Sequence, residues 1–419
     1  MRDFTERRSW SGVDAIPVVR LVLVTGLLVV FGVYLRSAGI HDQTDFGVYR
    51  AGGHAILTGR DLYALRVLPL GLPFTYPPAS AMFFALLALI PVRAGQVVWM
   101  AASLAGLGVF VRLTMRRYAT GVAATGTTVF LVVLILVARS DPVRVNLNFG
   151  QINVFIGLLL VADLCGALPR IPRGVMTGIA AALKLTPLFL VAYFVAVRRY
   201  RAACVAASTF AAVTALAFLV APRASNEYWL HGYFADARRT GGIAYISNQS
   251  INGMIVRLSG SPDHARVFWL PTAIVTAALI LWAVRRLNDR RPWLAESTAL
   301  AAMLLLSPVS WVHHWILVFP FVVACFRLGA EEQRSRLLRW LMCGLVGALW
   351  FGVIWHVPNM HDREYHHAVW QFLVGNSDVL LLIATLGAAL VTTSAAEPDG
   401  SPGPSALGRR RVRPISRPI

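Results

Sequence analysis

Charge is scarce in this sequence, and one cation is all but missing. Only 14% of its 419 residues are charged, where a water-soluble chain carries about a quarter. Asp and Glu together number 20, and among the 39 basic residues one, Lys184, is lysine. Cysteine is equally sparse. Cys165, Cys204, Cys325 and Cys343 sit in apolar runs and form no Cys-x-x-Cys pair. That spacing excludes a disulfide framework or a thiolate metal cluster and leaves four small buried hydrophobes. No repeat of 20–50 residues is visible, which takes support from an inverted-repeat carrier. No small-residue cleavage site follows the first apolar run, so residues 18–35 read as an uncleaved first span.

Hydrocarbon is what the chain has in quantity. It is 57% hydrophobic, with a mean hydropathy of +0.62. Apolar runs of about 18–20 residues recur along its whole length, the length needed to cross a bilayer. One water-exposed core cannot absorb that many. Lipid also offers no partner for a free backbone group, so each span must be helical. The expected fold class is therefore an all-α polytopic membrane protein. The net charge of +19 falls in short arginine clusters between apolar runs, as in loops facing anionic lipid rather than in a nucleic-acid-binding surface.

Spans are expected at 18–35, 95–113, 121–138, 151–168, 202–221, 265–285, 294–306, 314–328, 337–357 and 374–393. Residues 79–91 are too short to cross untilted and read as a half-inserted helix. Residues 174–197 are basic at both ends and interrupted by Lys184-Leu185-Thr186-Pro187, and read as a broken pair of short helices. With these choices the arginine clusters alternate correctly. The N-terminal tail 1–17 and the Pro-, Ser-, Gly- and Arg-rich tail 394–419, read as disordered, fall on the cytoplasmic side. Residues 18–393 form one transmembrane domain. Segments 36–94, 139–150, 222–264 and 358–373 face outward, with a short link near 307–314, and they hold nearly all the polar motifs.

Those motifs carry the candidate chemistry. TDFGVYRAGG, 44–53, places Asp45 just after the first span, either as a helix cap or as a surface carboxylate able to take a proton from a sugar hydroxyl. Tyr49 lies one turn on. In FTYPP, 74–78, the prolines set a helix start and Tyr76 sits at the interface. NFGQIN, 148–153, offers Asn148, Gln151 and Asn153, amides that both donate to and accept from sugar hydroxyls. Lys184, in an apolar segment, must face a polar cavity or a partner, and a lipid phosphate is the fitting one. SNQSING, 247–253, gives Asn248 and Gln249, either as turn chemistry or as a polar wall. In SPVSWVHH, 307–314, His313 and His314 are adjacent, point about 100° apart on a helix and cannot easily chelate one metal. A histidine that bonds phosphate or orients a carboxylate is the better reading. No metal and no cofactor are expected.

In this order, Asp45 and Tyr49, Leu62-Tyr63, FTYPP, NFGQIN, KLTP, SNQSING and SPVSWVHH resemble the polyprenyl-phosphate-mannose-dependent α-1,2-mannosyltransferases of actinobacteria, glycosyltransferase family eighty-seven of the GT-C superfamily. The resemblance covers roughly residues 40–390. It implies a GT-C-type fold of about 10–12 transmembrane helices with outward-facing interfacial helices. It also implies a plasma-membrane enzyme acting on the outer face. The donor would be a polyprenyl-phosphate sugar and the acceptor a glycolipid or lipoglycan, such as a phosphatidylinositol mannoside, lipomannan or lipoarabinomannan. Asp45 matches the family's acid, and His313 or His314 its membrane-edge histidine. Lys184 matches the lysine of its K-x-x-P, and the physical argument gives it the donor phosphate. Asp42 and Asp61 depart from a single-acid picture and stand to share or replace the role of Asp45. Family donors carry β-mannose and products are α-linked, so one inverting displacement is implied. The rival function is a transporter or flippase of lipid-linked sugars, without bond chemistry.

Overall fold

The computed structural model describes residues 17–40, 43–332 and 335–395. Asp42, residues 1–16 and residues 396–419 lie outside the described residues, and the first two positions of the tail read as disordered, 394 and 395, instead end the last helix. Among the described residues the chain is helical, with only two isolated β-bridges, Val67 to Leu72 and Asn248 to Trp311.

In chain order the helices are α1 (Pro17–Ile40), α2 (Thr44–Thr58), α3 (Pro78–Ala88), α4 (Val92–Tyr118), α5 (Gly121–Thr125), α6 (Thr127–Arg139), α7 (Asp141–Phe149), α8 (Asn153–Cys165), α9 (Val175–Leu183) and α10 (Phe189–Ala196). There follow α11 (Tyr200–Val220), α12 (Pro222–Ser225), α13 (Ile251–Ser259), α14 (Pro262–Asn288), α15 (Pro292–Leu306), α16 (Phe319–Glu331), α17 (Arg336–Phe351), α18 (Val369–Gly375) and α19 (Ser377–Ala395). Six segments are long and apolar enough to cross a membrane: Val19–Ala38, Val92–Tyr118, Tyr200–Val220, Pro262–Asn288, Val312–Glu331 and Ser377–Ser394. Shorter apolar helices, among them α3, α6 and α15, fill the spaces between them. The protein is a multi-pass membrane protein.

Its centre is α15. Every residue from Trp293 to Leu305 is buried, as expected of a helix that is apolar all round. The one charge on it, Glu296, is fully buried. It is paired with Arg117 of α4 at 2.8 Å and with Arg199 at 2.9 Å. This ion pair lies at the end of α4 away from the site described below. At the other end the chain breaks its helices repeatedly, and those breaks build the site. Helices α7 and α8 meet at 119°. The expected broken pair at 174–197 is α9 and α10, parted by an extended Lys184 and a short 3-10 turn, Thr186–Leu188. Pro187 lacks an N–H and disfavours helix at the residue before it. The run through 314 begins as a 3-10 segment, Val312–Val318, before α16.

Candidate active site

Helix α2 supplies the acid. Gln43 is its N-cap residue and makes no capping bond. Asp45 sits in the first turn, and Tyr49, four residues on, shares its face. The helix turns its apolar side chains into protein: Val48, Tyr49 and Ala55 are all buried. Gly52 and Gly53 allow this. A Cβ on Gly53 would lie 2.3 Å from the Phe84 carbonyl oxygen, and one on Gly52 2.4 Å from the Phe74 ring. The glycine pair lets α2 press against α3, and the Tyr49 ring stacks on Phe84 with centroids 4.2 Å apart.

The α7–α8 corner brings the amides. Gly150 takes a left-handed conformation, φ 70°, to end α7. Its carbonyl accepts from the Trp99 indole N–H at 2.8 Å. Gln151 follows, and its Oε1 lies 2.8 Å from the Tyr49 hydroxyl and 3.1 Å from that of Tyr76. The two hydroxyls are 2.9 Å apart. Burial pushes both phenols above their usual range, so they remain protonated donors. With its oxygen occupied by these donors, Gln151 keeps its N–H2 for the Asp45 carboxylate. Burial raises Asp45 to about 6, and the Gln151 hydrogen bond and the Lys184 charge pull against that rise.

Lys184 lines the same cavity. Its Nζ donates to Asn153 Oδ1 at 2.7 Å and lies 2.7 Å from His314 Nε2. Asn153 in turn donates to Asn146 Oδ1 at 3.1 Å. Burial lowers the Lys184 amine to about 7, and the Asp45 charge pulls against that fall; when it is an ammonium, Lys184 donates to His314 Nε2, whose own proton then sits on Nδ1. The Tyr76 ring lies 5.9 Å from the ammonium. His313 is buried against Phe149, and neither of its ring nitrogens has a partner among the described residues.

These groups line one cavity of about 1140 Å³. Asp45, Tyr76, Gln151, Lys184, His313 and His314 border it directly, and Tyr49 stands behind Tyr76 and Gln151. Other expected residues are placed elsewhere. Asn148 is exposed and off the cavity wall. Asn248 and Gln249 are fully buried and bonded to backbone. Asn248 donates to the Ile243 carbonyl and accepts from the Ser310 N–H. Gln249 donates to the carbonyls of Ile246 and Gly375. Together with Ser250 and Asn252 on the Pro308 carbonyl, they hold the 307–312 turn that carries the histidines. Asp61 accepts from the Tyr63 and Ala64 N–H groups and pairs with Arg223 at 2.9 Å, away from the cavity.

Sequence reasoning passed over Asn146 and the turn Asp236–Gly242 at the cavity mouth. Arg239 lies over the Tyr233 ring at 4.1 Å and donates to the Phe74 carbonyl. Its signal was an adjacent arginine pair in a segment assigned to the arginine-poor side. Among the described residues there is no group of three or more His, Cys, Asp or Glu side chains able to hold a metal.

Comparison with known proteins completes the description. The model of glycosyltransferase family 87 matches residues 74–308. A polyprenol-phosphate-mannose-dependent α-(1-2)-phosphatidylinositol mannoside mannosyltransferase of Mycobacterium tuberculosis is 33% identical over 84% of this chain and 86% of its own. A phosphatidylinositol pentamannoside mannosyltransferase of the same species, also polyprenol-phosphate-mannose-dependent, is 32% identical over 88% of this chain and 86% of its own. Among solved structures, ArnT from Cupriavidus metallidurans bound to undecaprenyl phosphate aligns with a TM-score of 0.43 and 17% identity, over 91% of this chain and 77% of that one.

Proposed function

Since the chain belongs to glycosyltransferase family 87, we propose that this enzyme moves mannose from a polyprenyl-phosphate donor to a phosphatidylinositol mannoside or related glycolipid, in α-1,2 linkage. Family membership disfavours the carrier reading, in which no bond is made. The observation that carries the proposal is that one cavity brings together a carboxyl, Asp45, and an amine, Lys184, which burial moves to about 6 and about 7 while each favours the other's charged form. A glycosyl phosphate needs both.

In the proposed step an acceptor hydroxyl attacks C1 of the donor as the bond from C1 to the phosphate oxygen breaks. Asp45 takes the hydroxyl proton. The phosphate leaves with the electron pair of the broken bond, and its charge is met by the Lys184 ammonium. One displacement inverts C1. In that step the carboxylate serves the acceptor and the cation the leaving phosphate, and holding the three reacting atoms in line supplies much of the rate. Gln151 orients the carboxylate, and the two tyrosines orient Gln151. His314, accepting from Lys184, keeps the ammonium aimed. The free nitrogens of His313 are available to sugar hydroxyls or phosphate. The step needs no metal and no cofactor. The site faces outward from the plasma membrane, with both termini cytoplasmic and the fold of the GT-C type.

Purified protein is to be incubated with a polyprenyl-phosphate mannose and a phosphatidylinositol mannoside, and the product read by mass and linkage. The expected product is larger by one α-1,2-linked mannose. Asp45→Asn should lower its formation by about 10²–10⁴-fold at unchanged expression. Transfer at the native rate by that variant would remove the base assignment.

A further inference from the structure

The bend between α7 and α8 holds a second asparagine behind the one that meets Lys184. Asn146 is fully buried. It lies on α7, and Asn153 opens α8 across the 119° bend. The Asn146 side-chain N–H2 donates to the Gln151 carbonyl at 3.2 Å, and the Gln151 N–H returns a bond to the Asn146 carbonyl at 2.9 Å. A backbone carbonyl can only accept, so the Asn146 amide has one orientation. Its Oδ1 is left for Asn153, which must give it N–H2, at 3.1 Å. That in turn leaves Asn153 Oδ1 for Lys184, at 2.7 Å. Each link is forced by the one before it, and the chain ends by presenting an oxygen to the amine.

Were the Asn153 amide turned over, its N–H2 would face the amine and donor would meet donor. The ammonium would lose an acceptor, whereas a neutral amine, which can accept, would gain a partner. The other groups that face Lys184 do not enforce this choice. Asp45 of α2 favours its charge from within the cavity. The Tyr76 ring lies 5.9 Å away. His314 accepts or donates according to its tautomer, and His313 makes no hydrogen bond among the described residues.

We propose that Asn146 is a positioning residue for Lys184: anchored on the Gln151 carbonyl, it fixes the orientation of the Asn153 amide and so holds an oxygen toward the amine that meets the donor phosphate. The inference rests on the glycosyl-transfer reading above. It makes Gln151 the root of both arms of the site. Its side chain serves Asp45, and its main chain, through Asn146 and Asn153, serves Lys184.

The pH profile separates orientation from mere support of the bend. Initial rates of mannose transfer by the full-length protein are measured across pH, with polyprenyl-phosphate mannose and acceptor varied in turn, and the thermal midpoint in detergent is recorded for each variant. Asn146→Leu, close to native in size, frees Asn153 to turn. An amine that loses an acceptor gives up its proton more readily, so the alkaline fall in kcat/KM should move to lower pH by about one unit, the worth of one hydrogen bond to a charge. KM for the donor should rise about ten-fold, and KM for the acceptor should stay within about two-fold of native. In Asn153→Asp the ionised carboxylate offers oxygens on both sides and has no wrong orientation. Adding Asn146→Leu to it should therefore leave the alkaline limb where Asn153→Asp puts it. Asn146→Ser, smaller than native, should repeat the single-variant shift if Asn146→Leu does not accumulate. If the Asn146 variants lower midpoint and rate without moving the limb, or move it as far in the Asn153→Asp background, Asn146 only braces the bend. The inference then falls, while native transfer keeps the functional reading intact. If the unaltered protein makes no mannosylated product, the functional reading fails, and this inference with it.

Discussion

A base that must accept a proton near neutral pH is poorly served by an ordinary carboxylate, which is too weak a base. Asp45 is moved toward the useful range by burial, to about 6. In the proposed step only the ionised Asp45 can take the acceptor's proton and only the charged Lys184, which burial lowers to about 7, can meet the phosphate, so kcat/KM should rise with pH along a limb centred near 6 and fall again above about 7. Lys184 opposes the rise, because its positive charge favours the carboxylate. Lys184→Met should therefore shift the acidic limb to higher pH, and it should also raise KM for the donor more than for the acceptor. A pH series of initial rates at several donor concentrations reads both. A limb that does not move in the variant would mean the two groups are not coupled in the working enzyme. Removing a nearby cation can only weaken the hold on the anion.

Helix α2 delivers Asp45 only because it lies against α3, and Gly53 decides how closely. Alanine is the better helix former by about 1 kcal/mol. Here the added methyl would meet the Phe84 backbone at 2.3 Å, and backbone cannot rotate out of the way. Overpacking of this kind costs about 1–3 kcal/mol, so contact outweighs propensity. Gly53→Ala should lower the thermal midpoint in detergent and reduce transfer through displacement of Asp45. A midpoint at or above native would show that α2 and α3 separate freely. The same packing explains what was legible in the sequence. Asp45 and Tyr49 stand four apart on one helix, and Lys184 is the sole lysine beside a helix-breaking proline, so a local pattern exposes them. Asn248 and Gln249 were legible as polar residues at a turn but not as struts, because the carbonyls they hold lie up to 126 positions away. Arg117 and Glu296 are 179 apart, and no periodicity connects them. Asn148 and Asn146 are two residues apart, so they face different sides of α7, and the buried one is the one wired to Lys184 through Asn153.

For the whole molecule, the distribution of charge and the position of the site bear on each other. The Glu296 ion pair with Arg117 and Arg199 lies at the end of α4 opposite Trp99, which touches the site through Gly150. Arg116 is exposed beside it. Since α4 has 27 residues, about 40 Å separates its ends, enough to put them on opposite membrane faces. By the rule that arginine-rich loops stay cytoplasmic, the proposed orientation has the Arg116 end inside and Asp45 outside. Exposed Cys204 and Cys343 would confuse labelling, so the four cysteines are first replaced by alanine. In that background Asn148→Cys, next to the site and exposed, should react with a membrane-impermeant maleimide on intact cells. Arg116→Cys should react only after the cells are opened. The opposite pattern would turn the cavity toward the cytoplasm, where Asp45 would meet a different acceptor pool, and would overturn the outward orientation. It would leave the chemistry of Asp45 and Lys184 untouched, because that depends on their shared cavity and not on which compartment it opens to.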